Sequence, residues 1–144
     1  MAFKTYRDLE VWQKAIELAE SVYRLTGEFP KDERCGLTSQ IRRAAVSIAA
    51  NFAEGYGRTH RGDYLHHVSV ASGSLMEVET HLVVASRLMF ITRQQALETW
   101  RLSQQIGKML TEIILSLKTP ESHTPTPDPI PHTRYPIRDT IPGG

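Results

Sequence analysis

Residues Leu37 to Gly57 read LTSQIRRAAVSIAANFAEGYG, and the pattern of this stretch decides the fold. Wound at about 100° per residue, it gives a core face of Leu37, Ile41, Ala44, Ala45, Ile48 and Phe52. A second stripe of Val46, Ala49 and Ala53 runs beside that face. Only a narrow arc is polar, carrying Gln40, Arg43, Ser47, Asn51 and Glu54. A surface helix needs about 100° of apolar face, and this one has roughly twice that. It is therefore expected to be packed on two sides, by its own bundle and by a further surface.

Working outward, the segment before it predicts a first helix. Thr5 and Asp8 make a capping-box variant, and Leu9, Trp12, Ala15, Ile16, Ala19, Val22 and Tyr23 recur at helical spacing to about Thr26. Gly27 and Phe29-Pro30 mark its end, and Lys31 to Gly36 has room for one helical turn. Gly55-Tyr56-Gly57 closes the central helix. These glycines follow a helix, and no Gly-Lys-Ser/Thr comes after them, so a C-cap fits better than a phosphate loop. A third helix is expected from Thr59 or Asp63 to Met89, with Tyr64, Val68, Ala71, Leu75, Val78, Leu82, Ala85 and Met89 inward. Gly73 and Ser74 thin it for a close neighbour. Glu79 falls on the apolar seam, where a carboxylate needs a partner, and Arg42 or Arg43 is the expected one. Thr92 to Gln95 is a capping box opening a fourth helix, with Leu102, Ile106, Met109, Leu110, Ile113, Ile114 and Leu117 as its stripe. Trp100 lies off that stripe and reads as a second contact surface.

No strand-like alternation or internal repeat occurs. Four helices with short connections predict an all-α, antiparallel up-down four-helix bundle over residues 1–118. Seven of the eight prolines fall between Pro120 and Pro142, so 119–144 is expected to be a disordered or extended tail.

The composition narrows the function. The chain has 144 residues, 40% hydrophobic and 23% charged, as expected of one soluble domain. No apolar run approaches the roughly 18 residues of a membrane span, and the N-terminus lacks a signal-peptide core. The single Cys35 excludes an intrachain disulfide, which makes the cytoplasm the expected compartment. A net charge of +1 argues against a dedicated nucleic-acid binder, although Arg42-Arg43 and Arg58-His60-Arg61 form local clusters.

Chemistry is not evident. His66 and His67 diverge on a helix, and there is no HExxH and no Glu-x-x-His pair. Glu77 and His81, one turn apart, read as a surface pair. Arg43, Ser47, Asn51 and Glu54, with Glu79, have the residue types of a catalytic cluster but no base beside Ser47. They read as a buried polar or interface cluster. No catalytic residue, metal or cofactor is expected.

The segments YRDLEVWQKAIELAESVY, FPKDERCGLTSQIRRAAVSIAANFAEGYGR and ASGSLMEVETHLVVA resemble the four-helix-bundle family named for 23S rRNA intervening sequences. The likeness spans about residues 3 to 118. Phe52 and Ala49 stand where that pattern has Ile and Pro or Ser. The resemblance implies a bundle without catalytic residues and of undefined biochemical role, assembled as a homo-pentameric ring. A more distant likeness is to the accessory variability determinant of diversity-generating retroelements, a pentameric bundle that binds nucleic acid and a reverse transcriptase. A ring gives each subunit two neighbours, and Val46, Ala49, Ala53 and Trp100 are the expected oligomer contacts. The function expected is a homo-oligomeric scaffold for RNA or an RNA-associated protein, with Arg42, Arg43, Arg58, Arg61 and Lys108 facing phosphates. A pure protein–protein adaptor is the alternative, and an enzyme or metal site around Arg43, Ser47, Asn51, Glu54 and Glu79 is the third reading.

Overall fold

The computed structural model describes residues 5–119, and most of the Pro-rich tail anticipated over 119–144 lies outside that range. Within it the chain forms a 3-10 turn at Tyr6–Asp8, α1 (Glu10–Thr26), a second 3-10 turn at Lys31–Glu33, α2 (Leu37–Tyr56), α3 (Arg61–Arg87) and α4 (Arg93–Lys118). The fold is an all-α four-helix bundle. Cross-helix pairings fix its sense. Ser47 meets Ser74 while Asn51 meets His67, and Glu79 meets Gln104 while Arg61 reaches Leu117. In both pairs of helices one chain ascends as the other descends.

Capping accounts for several boundaries. The Thr92 hydroxyl accepts from the Gln95 amide at 3.1 Å, and the Gln95 side chain accepts from the Thr92 amide at 2.8 Å. The Thr5–Asp8 box also forms, but it closes on the first 3-10 turn. The first α-helix therefore begins at Glu10 rather than directly after Thr5.

The core runs through all four helices. Leu18, Ile41, Ile48, Phe52, Leu75, Leu82, Ile106 and Leu110 are fully enclosed. Each contributes about 1.5–3 kcal/mol through removal from water. The central helix buries Ile41, Ala44, Ala45, Ile48 and Phe52 as its periodicity predicts.

The outer two helices are rotated from their expected phase. On α1 the buried line is Val11, Ala15, Leu18, Val22 and Leu25, while Leu9, Trp12, Ile16 and Ala19 are half-buried and Tyr23 is 47% exposed. On α4 the buried line is Ala96, Thr99, Trp100, Ser103, Ile106, Gly107 and Leu110. Trp100 is thus a core residue, 6% exposed, and not an outward contact. Small hydroxyl residues explain the shift. Thr99 bonds Ser21 across the α1–α4 seam at 2.6 Å, and Ser103 donates to the Trp100 carbonyl at 2.7 Å, so both occupy core positions without unmet polar atoms.

The third helix ends at Arg87, short of Met89, which leaves the core altogether. It is 87% exposed with φ of 63°. Close approach between α2 and α3 occurs at Gly55, whose missing side chain accommodates His67 and Tyr64. Gly73 faces open space, contrary to its expected role.

Candidate interaction surface

The polar arc of α2 is a ladder along α3. Ser47 Oγ lies 2.8 Å from Ser74 Oγ, and Asn51 donates to the Ser47 carbonyl at 2.9 Å. That bond orients the Asn51 amide so that its oxygen faces His67 Nδ1 at 3.3 Å. Glu54 pairs with Arg58 at 2.7 Å, and His67 Nε2 lies 3.9 Å from the same carboxylate oxygen. Of the five residues expected to cluster, Ser47, Asn51 and Glu54 therefore come together, joined by Ser74 and His67 from α3. Arg43 stands exposed outside the ladder. Hydrogen bonds along a helix seam hold the seam, and nothing in this set places a nucleophile beside a base with open access.

Glu79 points the other way, into the α3–α4 seam. Its carboxylate accepts from Gln104 Nε2 at 2.6 Å and lies 3.3 Å from Ser103 Oγ. Of the two partners expected for it, Arg43 is exposed on α2 and Arg42 serves α1. Its Nε donates to Thr26 Oγ1 at 2.8 Å, its Nη2 to the Tyr23 carbonyl at 3.3 Å, and its guanidinium sits 4.5 Å from the Tyr23 ring centre. A cation against the last turn of α1 complements the helix dipole there.

Arg61 does the same for α4. It donates to the carbonyls of Ser116, Leu117 and Thr119 at 2.6, 2.8 and 3.0 Å. With Arg58 paired to Glu54, three of the five side chains expected to face phosphates are engaged within the protein. Arg43 and Lys108 are exposed, but they sit on α2 and α4, which are diagonal in the bundle. The five do not form one basic patch. An open groove of about 410 Å³ between α1 and α4 mixes both signs, with Lys14, Arg24 and Arg101 among Glu17, Glu20 and Glu98.

Two ionisable groups are displaced by their surroundings. Burial pushes the Tyr64 phenol above 10.0, with Tyr56 adding to the shift. Burial also lowers the His81 imidazole below 6.5, and Glu77 partly opposes it. Among the described residues, no three His, Cys, Asp or Glu side chains gather as a metal site. No described helix is long and apolar enough to cross a membrane.

What the structure does present is an apolar strip along α1 and α2. The short connection from Thr26 to Leu37 and the Arg42–Thr26 bond bring the end of α1 to the start of α2, so the packed helices run antiparallel, with Tyr23, Ala19, Ile16 and Trp12 on α1 and Val46, Ala49 and Ala53 on α2. Val46 is 46% exposed and Ala53 half-buried, whereas Ala49 is buried within the bundle and offers little to a neighbour. Sequence reasoning found the α2 half of this strip. On α1 it read Trp12 and Tyr23 as core or interface packing, and it missed Val11, Leu18 and Leu25, seven residues apart, which mark the inward line.

The model for the 23S rRNA-intervening sequence protein family matches residues 7–112. The chain belongs to that family. The fold is also that of a protein with unknown function from the S23 ribosomal protein family of Bacteroides thetaiotaomicron VPI-5482. The two share 30% identity and superpose with a TM-score of 0.67, over 76% of this chain and 99% of the other. None of the curated proteins matches. The 23S rRNA-intervening sequence family therefore brings a fold to this chain and no assigned chemistry.

Proposed function

We propose that this 23S rRNA-intervening sequence protein is a non-enzymatic, cytoplasmic scaffold that assembles with copies of itself. The α1–α2 strip carries the reading. Tyr23 and Val46 are 47% and 46% exposed, and Trp12, Ile16, Ala19 and Ala53 are only half-buried, so apolar surface stays open on both helices. A homo-pentameric ring, as the sequence resemblance implies, would cover such a seam on every subunit through a heterologous contact.

The family name supplies the link to RNA, and in this proposal the assembled scaffold serves RNA or an RNA-associated protein. The dispersal of the basic side chains, with Arg42, Arg58 and Arg61 engaged inside the chain, favours recruitment through a protein over direct phosphate contact.

Absolute mass by light scattering, with and without a structured RNA, tests both halves. A multiple of the 16.3 kDa chain mass supports assembly, and a monomer across the micromolar range overturns it. A mass that rises with RNA and falls back in high salt would instead assign direct nucleic-acid binding.

A further inference from the structure

His67 of α3 meets α2 with an oxygen at each of its ring nitrogens. Nδ1 lies 3.3 Å from Asn51 Oδ1, and Nε2 lies 3.9 Å from Glu54 Oε1. The side chain is 17% exposed, and its Cβ packs into the space that Gly55 leaves open. The ring is thus rooted where the two helices come closest.

The Asn51 amide is not free to turn over. Its nitrogen donates to the Ser47 carbonyl and to Ser47 Oγ, each at 2.9 Å, and a flipped amide would set oxygen against that carbonyl. Nδ1 therefore needs a hydrogen to bond Asn51. A neutral ring has only one, which leaves a bare Nε2 lone pair facing a carboxylate oxygen. The other neutral tautomer only moves the conflict to Asn51. Imidazolium, with a hydrogen on both nitrogens, is the one form that suits both oxygens.

We propose that His67 is a proton-operated latch on the α2–α3 seam. The neutral ring is held through Asn51 alone, and protonation at Nε2 adds a charge-assisted bond to Glu54. The gap closes from 3.9 Å to about 2.8 Å, a change within reach of the Glu54 side chain, which is 54% exposed. Other charged groups bear on that proton. Arg58 already donates to the same Glu54 oxygen at 2.7 Å, although a carboxylate has acceptor sites enough for both. The His66 ring, 5.5 Å away, opposes a second charge when it is itself protonated, and Asp63, exposed one turn earlier on α3, favours it. Tyr64, also packed against Gly55, stays neutral at these pH values. Among the described residues, no α4 side chain bonds to His67; α4 meets α3 through Glu79 instead. The latch joins the last two turns of α2 to the first two of α3, so acid tightens the end of the bundle where one helix passes into the next. It lies within one chain and works with or without self-assembly.

A double-mutant cycle in the full chain reads the latch. His67→Gln, Glu54→Gln and the double variant are unfolded in urea at about pH 5.5 and about pH 8, either side of the ordinary histidine range. The His67–Glu54 coupling is expected to raise the folded-to-unfolded ratio by about twofold to fivefold at the lower pH, and to vanish at the higher. Coupling that is equal at both, larger at the higher pH or absent at both overturns the proposal. Ring nitrogen chemical shifts of the wild-type chain give a second reading that needs no variant. At about pH 8 the hydrogen is expected on Nδ1. A neutral ring carrying it on Nε2 overturns the proposal, since Glu54 would then have its donor without acid.

Discussion

Gly55 of α2 lies directly against His67 of α3, so close that a methyl group at position 55 would come within 2.6 Å of the His67 Cβ. Both contacting groups sit near helix backbones, which leaves no flexible chain end to move aside. Gly55→Ala is therefore expected to destabilise the bundle by about 1–3 kcal/mol through overpacking, despite alanine's better helix propensity. Gly73→Ala, where a methyl group meets nothing within 4 Å, is expected to stabilise by up to about 1 kcal/mol. Urea unfolding midpoints of the two variants should move in opposite directions.

The Ser21–Thr99 hydroxyl pair is a second test of packing. Its 2.6 Å bond is buried between α1 and α4. Ser21→Ala or Thr99→Val alone strands the other hydroxyl, at a cost of about 1–3 kcal/mol. The double variant removes both polar atoms and should recover much of that loss. A double-mutant cycle in urea measures the coupling, and additive single effects would refute the pairing.

Arg61 closes the last turn of α4 through three carbonyls. Arg61→Ala is expected to cost about 1 kcal/mol, with amide exchange accelerating in the last turn of α4 and not across the core. Affinity for RNA, if any is measured, should be unchanged by this variant, because the guanidinium is already committed.

The displaced His81 gives a pH dependence. Its folded pKa lies below the ordinary 6.5, so the fold favours the neutral ring. Its contribution is complete above pH 6.5 and is lost as pH falls through the lower folded value. His81→Gln should narrow the fall in thermal midpoint between pH 7.5 and 5. Tyr64, raised above 10.0, works in the opposite sense, and its contribution is lost as pH climbs past that value.

The bundle was legible because α2 and α3 carry long stretches of strict helical spacing, and because Thr92–Gln95 marks a helix start that the structure reproduces. The phase of α1 and α4 was not, for a physical reason. Periodicity counts apolar residues, but Ser21, Thr99 and Ser103 sit in the core by satisfying one another or the backbone. On α1, Trp12, Ile16 and Tyr23 make a second apolar line beside Val11, Leu18 and Leu25, and the arrangement of neighbours decides which line goes inward. The basic residues illustrate a different gap. Formal charge identifies Arg42 and Arg61 as candidates for phosphate, yet their geometry gives them to the ends of α1 and α4, where unpaired carbonyls offer a nearer acceptor.

The Glu79 carboxylate has a bearing on how α3 and α4 find one alignment. Its bond to Gln104 is specific to one alignment of α3 against α4. Sliding α4 by one turn would carry Gln104 about 5.4 Å away and break that charge-assisted bond. Greasy faces tolerate many alignments, whereas an acid met by donors on α4 admits one, so a polar pair sets the register that the apolar residues then fill.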